Sequence, residues 1–126
     1  MKKKLSTYAD GYIYYFFNRE NKLIYIGSSR QNFKKRISDH KTDFKGYMGL
    51  LKKHRTYRAS FEIIIQEDYE VGILEYYPCD SKQDLEIREG EWILAFKEKN
   101  FNVVNKSIPS RNTKLTLPPS FYPNPF

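Results

Sequence analysis

The sequence predicts one α+β domain, a central and mainly antiparallel sheet of three to four strands flanked by about three helices. Two observations carry that reading. Residues 12–17 and 23–26 are β-branched and aromatic runs separated by the polar Asn18-Arg19-Glu20-Asn21, the pattern of a hairpin. Much later, Leu85, Trp92 and Phe96 recur at i, i+7 and i+11, which places them on one stripe of a helix facing a core. A length of 126 residues suits a single domain.

In chain order, a four-residue turn over 18–21 would set Tyr14 opposite Tyr25, with both hydroxyls on one sheet face. Gly27-Ser28-Ser29 closes the second strand, and Asn32 is placed to cap a helix from Phe33 to about Lys41. Phe33 and Ile37 supply its apolar stripe. Arg36 and His40, four apart, stack on a neighbouring face, which suits either a solvated charge face or a site. A second helix is expected from Gly46 or Tyr47 to His54, burying Tyr47, Leu50 and Leu51, with His54 at its C-terminal end. Phe61 to Gln66 and Gly72 to Tyr77 read as two strands, the first as the most central one. Ser81-Lys82-Gln83-Asp84 resembles a capping box, with Asp for the usual Glu, opening a helix to about Lys99. Phe101 to Asn105 reads as a short strand. Residues 1–10 form a basic arm, 11–111 the folded domain, and 112–126 a tail too rich in proline and aromatics for helix or central strand.

The 22 Lys and Arg against 15 Asp and Glu give a net charge of +7, which favours a polyanionic partner such as nucleic acid. No segment approaches the roughly 18 apolar residues of a membrane span. Cys79 is the single cysteine, so an intrachain disulfide and a cysteine-based zinc site are excluded. An intracellular protein with no membrane partner is the expectation.

Glu89 is the residue that a bland reading of the last helix does not absorb. It falls at i+4 of the Leu85, Trp92, Phe96 stripe, where an acid is costly unless paired, protonated or holding a cation. An ion pair with the first helix and a metal site are the two alternatives. Glu86, Glu91 and Glu98 turn away from the stripe and read as solvated.

Taken in order, Tyr12-Ile13-Tyr14, Tyr25-Ile26-Gly27, Arg36 with His40, Glu89-x-x-Trp92-Ile93 and a terminal Asn resemble the GIY-YIG nuclease superfamily over about residues 11 to 105. The further combination of Gly11, Ser28, Asn32-Phe33, Arg88 and Asn105-Lys106 with Pro109 and Arg111 is similar to stand-alone proteins of large-virus type. Two features depart from the pattern. Tyr12 stands where the first motif has glycine, which puts the local backbone in question. Asn102 and Asn105 both fit the terminal asparagine, and Asn105 has the better downstream match.

The resemblance implies a small GIY-YIG-like fold and hydrolysis of DNA phosphodiester bonds with one divalent cation, Mg²⁺ or Mn²⁺. Glu89 would bind the metal, with weak affinity in the absence of DNA. Tyr14 would be general base or orient the water, with Tyr25 beside it, and it would need nearby positive charge, from Lys or Arg in the sheet face or from the metal, to reach phenolate character. Arg36 would bridge phosphate oxygens, His40 would touch phosphate or pass protons, and Asn105 would position. Lys34, Lys35, Lys41, Lys45, Lys52, Lys53, Arg55 and Arg58 form a basic surface able to track a DNA backbone. The protein would act as a monomer or a transient dimer on DNA. A non-catalytic nucleic-acid-binding module and an interaction protein working through its tail are the competing readings.

Overall fold

The computed structural model describes residues 8–51 and 55–106. Four strands, β1 (Tyr12–Asn18), β2 (Leu23–Ser29), β3 (Glu70–Tyr76) and β4 (Asn102–Val103), form one sheet in the order β3-β1-β2-β4. β1 pairs antiparallel with β2 and β3, and β4 runs parallel to β2. Three helices, α1 (Phe33–Tyr47), α2 (Phe61–Ile64) and α3 (Lys82–Glu98), cover the two faces. The expected α+β class and its mainly antiparallel sheet are the observed ones.

β1 is apolar almost throughout because both of its faces are covered. Ile13 and Phe17 join Ile24, Ile26, Leu85, Trp92, Ile93 and Phe96 in a core under α3. Tyr12, Tyr14 and Phe16 join Ile37, Phe61, Ile63 and Ile64 in a second core under α1 and α2. The sheet is thus the middle of three layers.

Several expectations need correction. The hairpin pairs Tyr14 with Gly27 and Phe16 with Tyr25, so Tyr14 is not opposite Tyr25. Asn18 stays in the strand: its Oδ1 accepts from Asn21 N and its Nδ2 donates to the Asp68 carbonyl, moving the turn to residues 19–22. The slip is two residues, so it preserves the face, and the Tyr14 and Tyr25 rings still lie 6.3 Å apart.

The second helix over 47–54 does not form as expected. α1 runs on to Tyr47 and ends at Gly49, φ +78°, where Leu50 N bonds Lys45 O and Gly49 N bonds Gly46 O. That is a Schellman stop, which only glycine adopts without strain. Tyr47, Leu50 and Leu51 are consequently exposed rather than buried, and His54 lies outside the described residues.

Phe61 to Gln66 is not the central strand; residues 61–64 form α2. Both edges of β1 are taken by β2 and β3, so the β-branched run instead packs Phe61, Ile63 and Ile64 into the core beside α1 and leaves Ile65 exposed. The expected strand over 101–105 shortens to Asn102–Val103.

α3 begins as expected, with Ser81 Oγ accepting from Asp84 N at 3.1 Å. It is fastened to β3 by a clasp in which Arg88 donates from Nε (2.6 Å) and Nη2 (2.8 Å) to Glu75, and Trp92 Nε1 donates to the same carboxylate at 2.9 Å. Glu91, expected in solvent, is mostly covered and lies 3.6 Å from Arg88.

Gly27 allows the Tyr14 ring to cross β2, because a Cβ there would lie 2.5 Å from the Tyr14 hydroxyl oxygen and overlap the ring. Gly27→Ala is therefore expected to lose about 1–3 kcal/mol of stability in urea unfolding, the usual cost of overpacking. An unchanged midpoint would mean that Tyr14 does not need this crossing.

Candidate active site

The site lies where β2 loses its outer neighbour. β4 covers Leu23 and Ile24 only, and Val104 N bonds Ile24 O at 2.8 Å. Beyond that, the Asn105 side chain takes over. Its Oδ1 accepts from Ile26 N at 3.0 Å and its Nδ2 donates to Ile26 O at 2.7 Å, so a side-chain amide replaces the next ladder residue. Asn102 instead bonds the carbonyl of Asn21 at the hairpin turn, so Asn105 is the asparagine beside the site.

At this bare edge, groups from opposite faces of the sheet can meet. Tyr14 and Tyr25 project from the α1 side. Asn32 Oδ1 caps α1 through Lys35 N, and the helical spacing then turns both Arg36 and His40 towards the tyrosines. Arg36 Nε donates to Tyr14 Oη at 3.1 Å, and His40 Nε2 lies 2.6 Å from the same oxygen. The other imidazole nitrogen, Nδ1, lies 2.8 Å from Ser60 Oγ.

From the α3 side comes Glu89, whose Oε1 accepts from Ser28 Oγ at 2.6 Å. Among the described residues it makes no ion pair with the first helix. A cleft of about 370 Å³ joins the two sides, lined by Tyr25, Tyr57, Arg58, Glu89, Asn105 and Lys106 among others.

Burial dominates the electrostatics. It pushes the Glu89 carboxyl up to about 7, with the Ser28 hydrogen bond opposing. His40 is pushed down to about 3 by burial, then by Arg36 and Arg58, and stays neutral. Tyr14 is raised well above 10.0, first by burial and then by Tyr25, while Arg36 pulls the other way. In the resting site desolvation of the buried oxygen outweighs the one guanidinium beside it, so Arg36 alone does not supply the positive charge that a phenolate would need.

The departure at Tyr12 is absorbed by packing. Its ring lies 5.9 Å from Tyr14 and 6.1 Å from Phe33. The close backbone approach falls one residue earlier, where a Cβ on Gly11 would sit 2.7 Å from the Tyr77 carbonyl.

The basic surface is only partly free. Lys34, Lys41 and Lys45 are exposed, Lys35 pairs with Asp39 at 2.7 Å, and Arg55 and Arg58 share Asp43 at 3.7 and 3.0 Å. Lys52 and Lys53 lie outside the described residues. Sequence reasoning missed Ser28 and Ser60 as site residues. Strand alternation puts Ser28 on the face of Ile24 and Ile26, towards α3, and so could have found it; Ser60 carries no such signal.

One carboxylate oxygen bound to a serine and a second with no hydrogen bond among the described residues suit a hard cation that keeps most of its waters. No group of three or more His, Cys, Asp or Glu side chains able to hold a metal occurs among the described residues. Any ion would therefore depend on Glu89 and on oxygens brought by a ligand.

A phenol pair, a guanidinium, an imidazole and a half-buried carboxyl gathered at a sheet edge define a polar site suited to phosphoryl chemistry. The family model of the GIY-YIG catalytic domain matches residues 10–102, most of the chain, and the protein belongs to that family, a nuclease fold. No curated protein and no solved structure matches the chain. Among the described residues no helix is long and apolar enough to cross a membrane.

Glu89 and His40 give opposite pH dependences of stability. Folded Glu89 keeps its proton up to about 7 whereas the unfolded side chain releases it near 4.5, so its contribution falls as pH rises through that window. Unfolded His40 gains a proton below 6.5 that the folded ring refuses until about 3, so its contribution falls as pH drops. Glu89→Gln is expected to be more stable than wild type at pH 8, by on the order of 3 kcal/mol, with the gain vanishing near pH 4. Urea unfolding at both pH values checks this; a Gln variant no more stable at pH 8 would show that burial does not govern Glu89.

Proposed function

We propose that this protein is an endonuclease hydrolysing DNA phosphodiester bonds with one divalent cation, Mg²⁺ or Mn²⁺. The observation that carries the reading is Glu89, a half-buried carboxyl with Ser28 as its partner, facing a cleft shared with Tyr25 and Asn105. A fold gains nothing in stability from such a group, whereas a cation site needs it. Glu89 would hold the ion, which supplies positive charge to the phosphate and to the attacking water.

The other residues divide the remaining work. Arg36 spends Nε on Tyr14, and its two terminal nitrogens are left to fork onto phosphate oxygens as charge builds. Tyr14 is the general base: it gives up its proton through Tyr25 to solvent, and the oxygen left behind, held by Arg36 and His40, takes the proton of the attacking water. His40 holds Tyr14 in place, and Asn105 keeps the edge of β2 from shifting. Exposed Lys34, Lys41 and Lys45 track the backbone without reading sequence. With one site per chain, cutting both strands requires two nicks or a transient dimer on DNA.

Supercoiled plasmid incubated with the protein and Mg²⁺ or Mn²⁺ tests this. Wild type is expected to produce nicked circles, and Glu89→Ala or Arg36→Ala to slow nicking by on the order of 10²–10³. Plasmid left intact across metals and salt concentrations would leave a nucleic-acid-binding module as the reading, whereas equal nicking by Glu89→Ala would remove the metal role. Binding of duplex DNA by wild type is expected to weaken steeply as salt rises, which a filter-binding titration measures.

A further inference from the structure

Ser60, His40 and Tyr14 form a chain of polar groups closed off from water, all three fully buried. The contacts are Ser60 Oγ to His40 Nδ1 at 2.8 Å and His40 Nε2 to Tyr14 Oη at 2.6 Å. With the imidazole held neutral by burial and by Arg36 and Arg58, three polar hydrogens serve two contacts. One hydrogen is left over. It must sit at one end of the chain or the other.

The Ser60 end has no place for it. Among the described residues the Ser60 hydroxyl makes one hydrogen bond, to His40 Nδ1 in the buried interior, and meets no second group to accept an O–H. An O–H stranded there is costly, because a buried donor without an acceptor forfeits its full desolvation. The Tyr14 end differs, since the Tyr25 phenol approaches it and Tyr25 lines the cleft. Tyr14 Oη also already accepts from Arg36.

We infer that Ser60 is a positioning residue, whose hydroxyl donates to His40 Nδ1 and so fixes the imidazole with its hydrogen on Nε2, donating to the Tyr14 oxygen. Two donors, His40 and Arg36, then converge on that oxygen, and the Tyr14 hydrogen is turned towards Tyr25 and the cleft. Negative charge on Tyr14 is stabilised as its proton leaves. The opposite tautomer would use the Tyr14 hydrogen to bond His40, turn it away from Tyr25, and strand the Ser60 hydrogen. The functional part of the inference rests on the nuclease reading; the hydrogen arrangement does not.

The test uses the full chain with ¹⁵N-labelled histidine and reads, by two-bond ¹H–¹⁵N correlation, which ring nitrogen is protonated. The chain has two histidines, and His54→Gln assigns the signals. Wild type is expected to carry the His40 hydrogen on Nε2. Ser60→Ala should lose that preference and nick plasmid on the order of 10²-fold more slowly, the scale of a general acid–base contribution. Ser60→Thr, which keeps the hydroxyl, should retain both properties. A wild-type hydrogen on Nδ1 overturns the arrangement, and so does Ser60→Ala with unchanged tautomer. Unchanged nicking despite a changed tautomer overturns the positioning role. Should Ser60→Ala fail to fold, the wild-type tautomer and the Thr variant decide. Should wild type not nick, the nuclease reading fails while the tautomer result still stands.

Discussion

The exchange of hydrogen bonds at Ile26 is the constraint on which the rest of the site depends. Its N–H and C=O face outward on an edge that β4 no longer covers, and the amide of Asn105 satisfies both. A longer β4 would do the same with backbone, and would also wall off the space where Tyr25 and Glu89 line one cleft. A missing partner would leave two buried-side polar groups unpaired. One side chain therefore keeps the sheet edge satisfied and open, and the meeting of groups from both faces follows from that.

Around this edge the protein accepts local costs that its two cores offset. Glu89 is held where burial opposes its charge, and His40 where burial opposes protonation. Tyr14 sits between them with a phenol that desolvation keeps protonated. The rigid parts are nearby: Trp92, Ile93 and Phe96 on α3, and Phe16 and Ile37 across the sheet, are all buried. A dry, packed surround is what lets a few dipoles and one guanidinium act strongly on a phosphate.

Much of this was legible in the chain. The Leu85, Trp92, Phe96 stripe placed α3 and singled out Glu89, because helical periodicity is local and long. Arg36 and His40 shared a face for the same reason. The hairpin's existence was readable from composition, while its register turned on Asn18 bonding Asp68, a contact fifty residues away. Ile63-Ile64-Ile65 read as strand because β-branched residues favour it, yet no open place remained beside β1, and tertiary packing overrode the preference. Gly49 was a visible stop that the reading passed over. Ser60 could not have been read at all, since nothing but the fold brings it to His40.

The clasp between Glu75, Arg88 and Trp92 has a bearing on where the carboxylate at position 89 points. A helix can turn about its axis at little cost when its contacts are oily and interchangeable, and each residue is offset from the next by roughly 100°. Arg88 forks onto Glu75 and Trp92 adds a third bond four residues on, so α3 is keyed to β3 at one angular setting. Glu89 inherits that setting as the next residue, aimed at Ser28 on the face of β2 that α3 covers. The clasp works as an indexing pin: it touches nothing in the cleft, but it sets the rotational phase of the helix that supplies the cleft's acid.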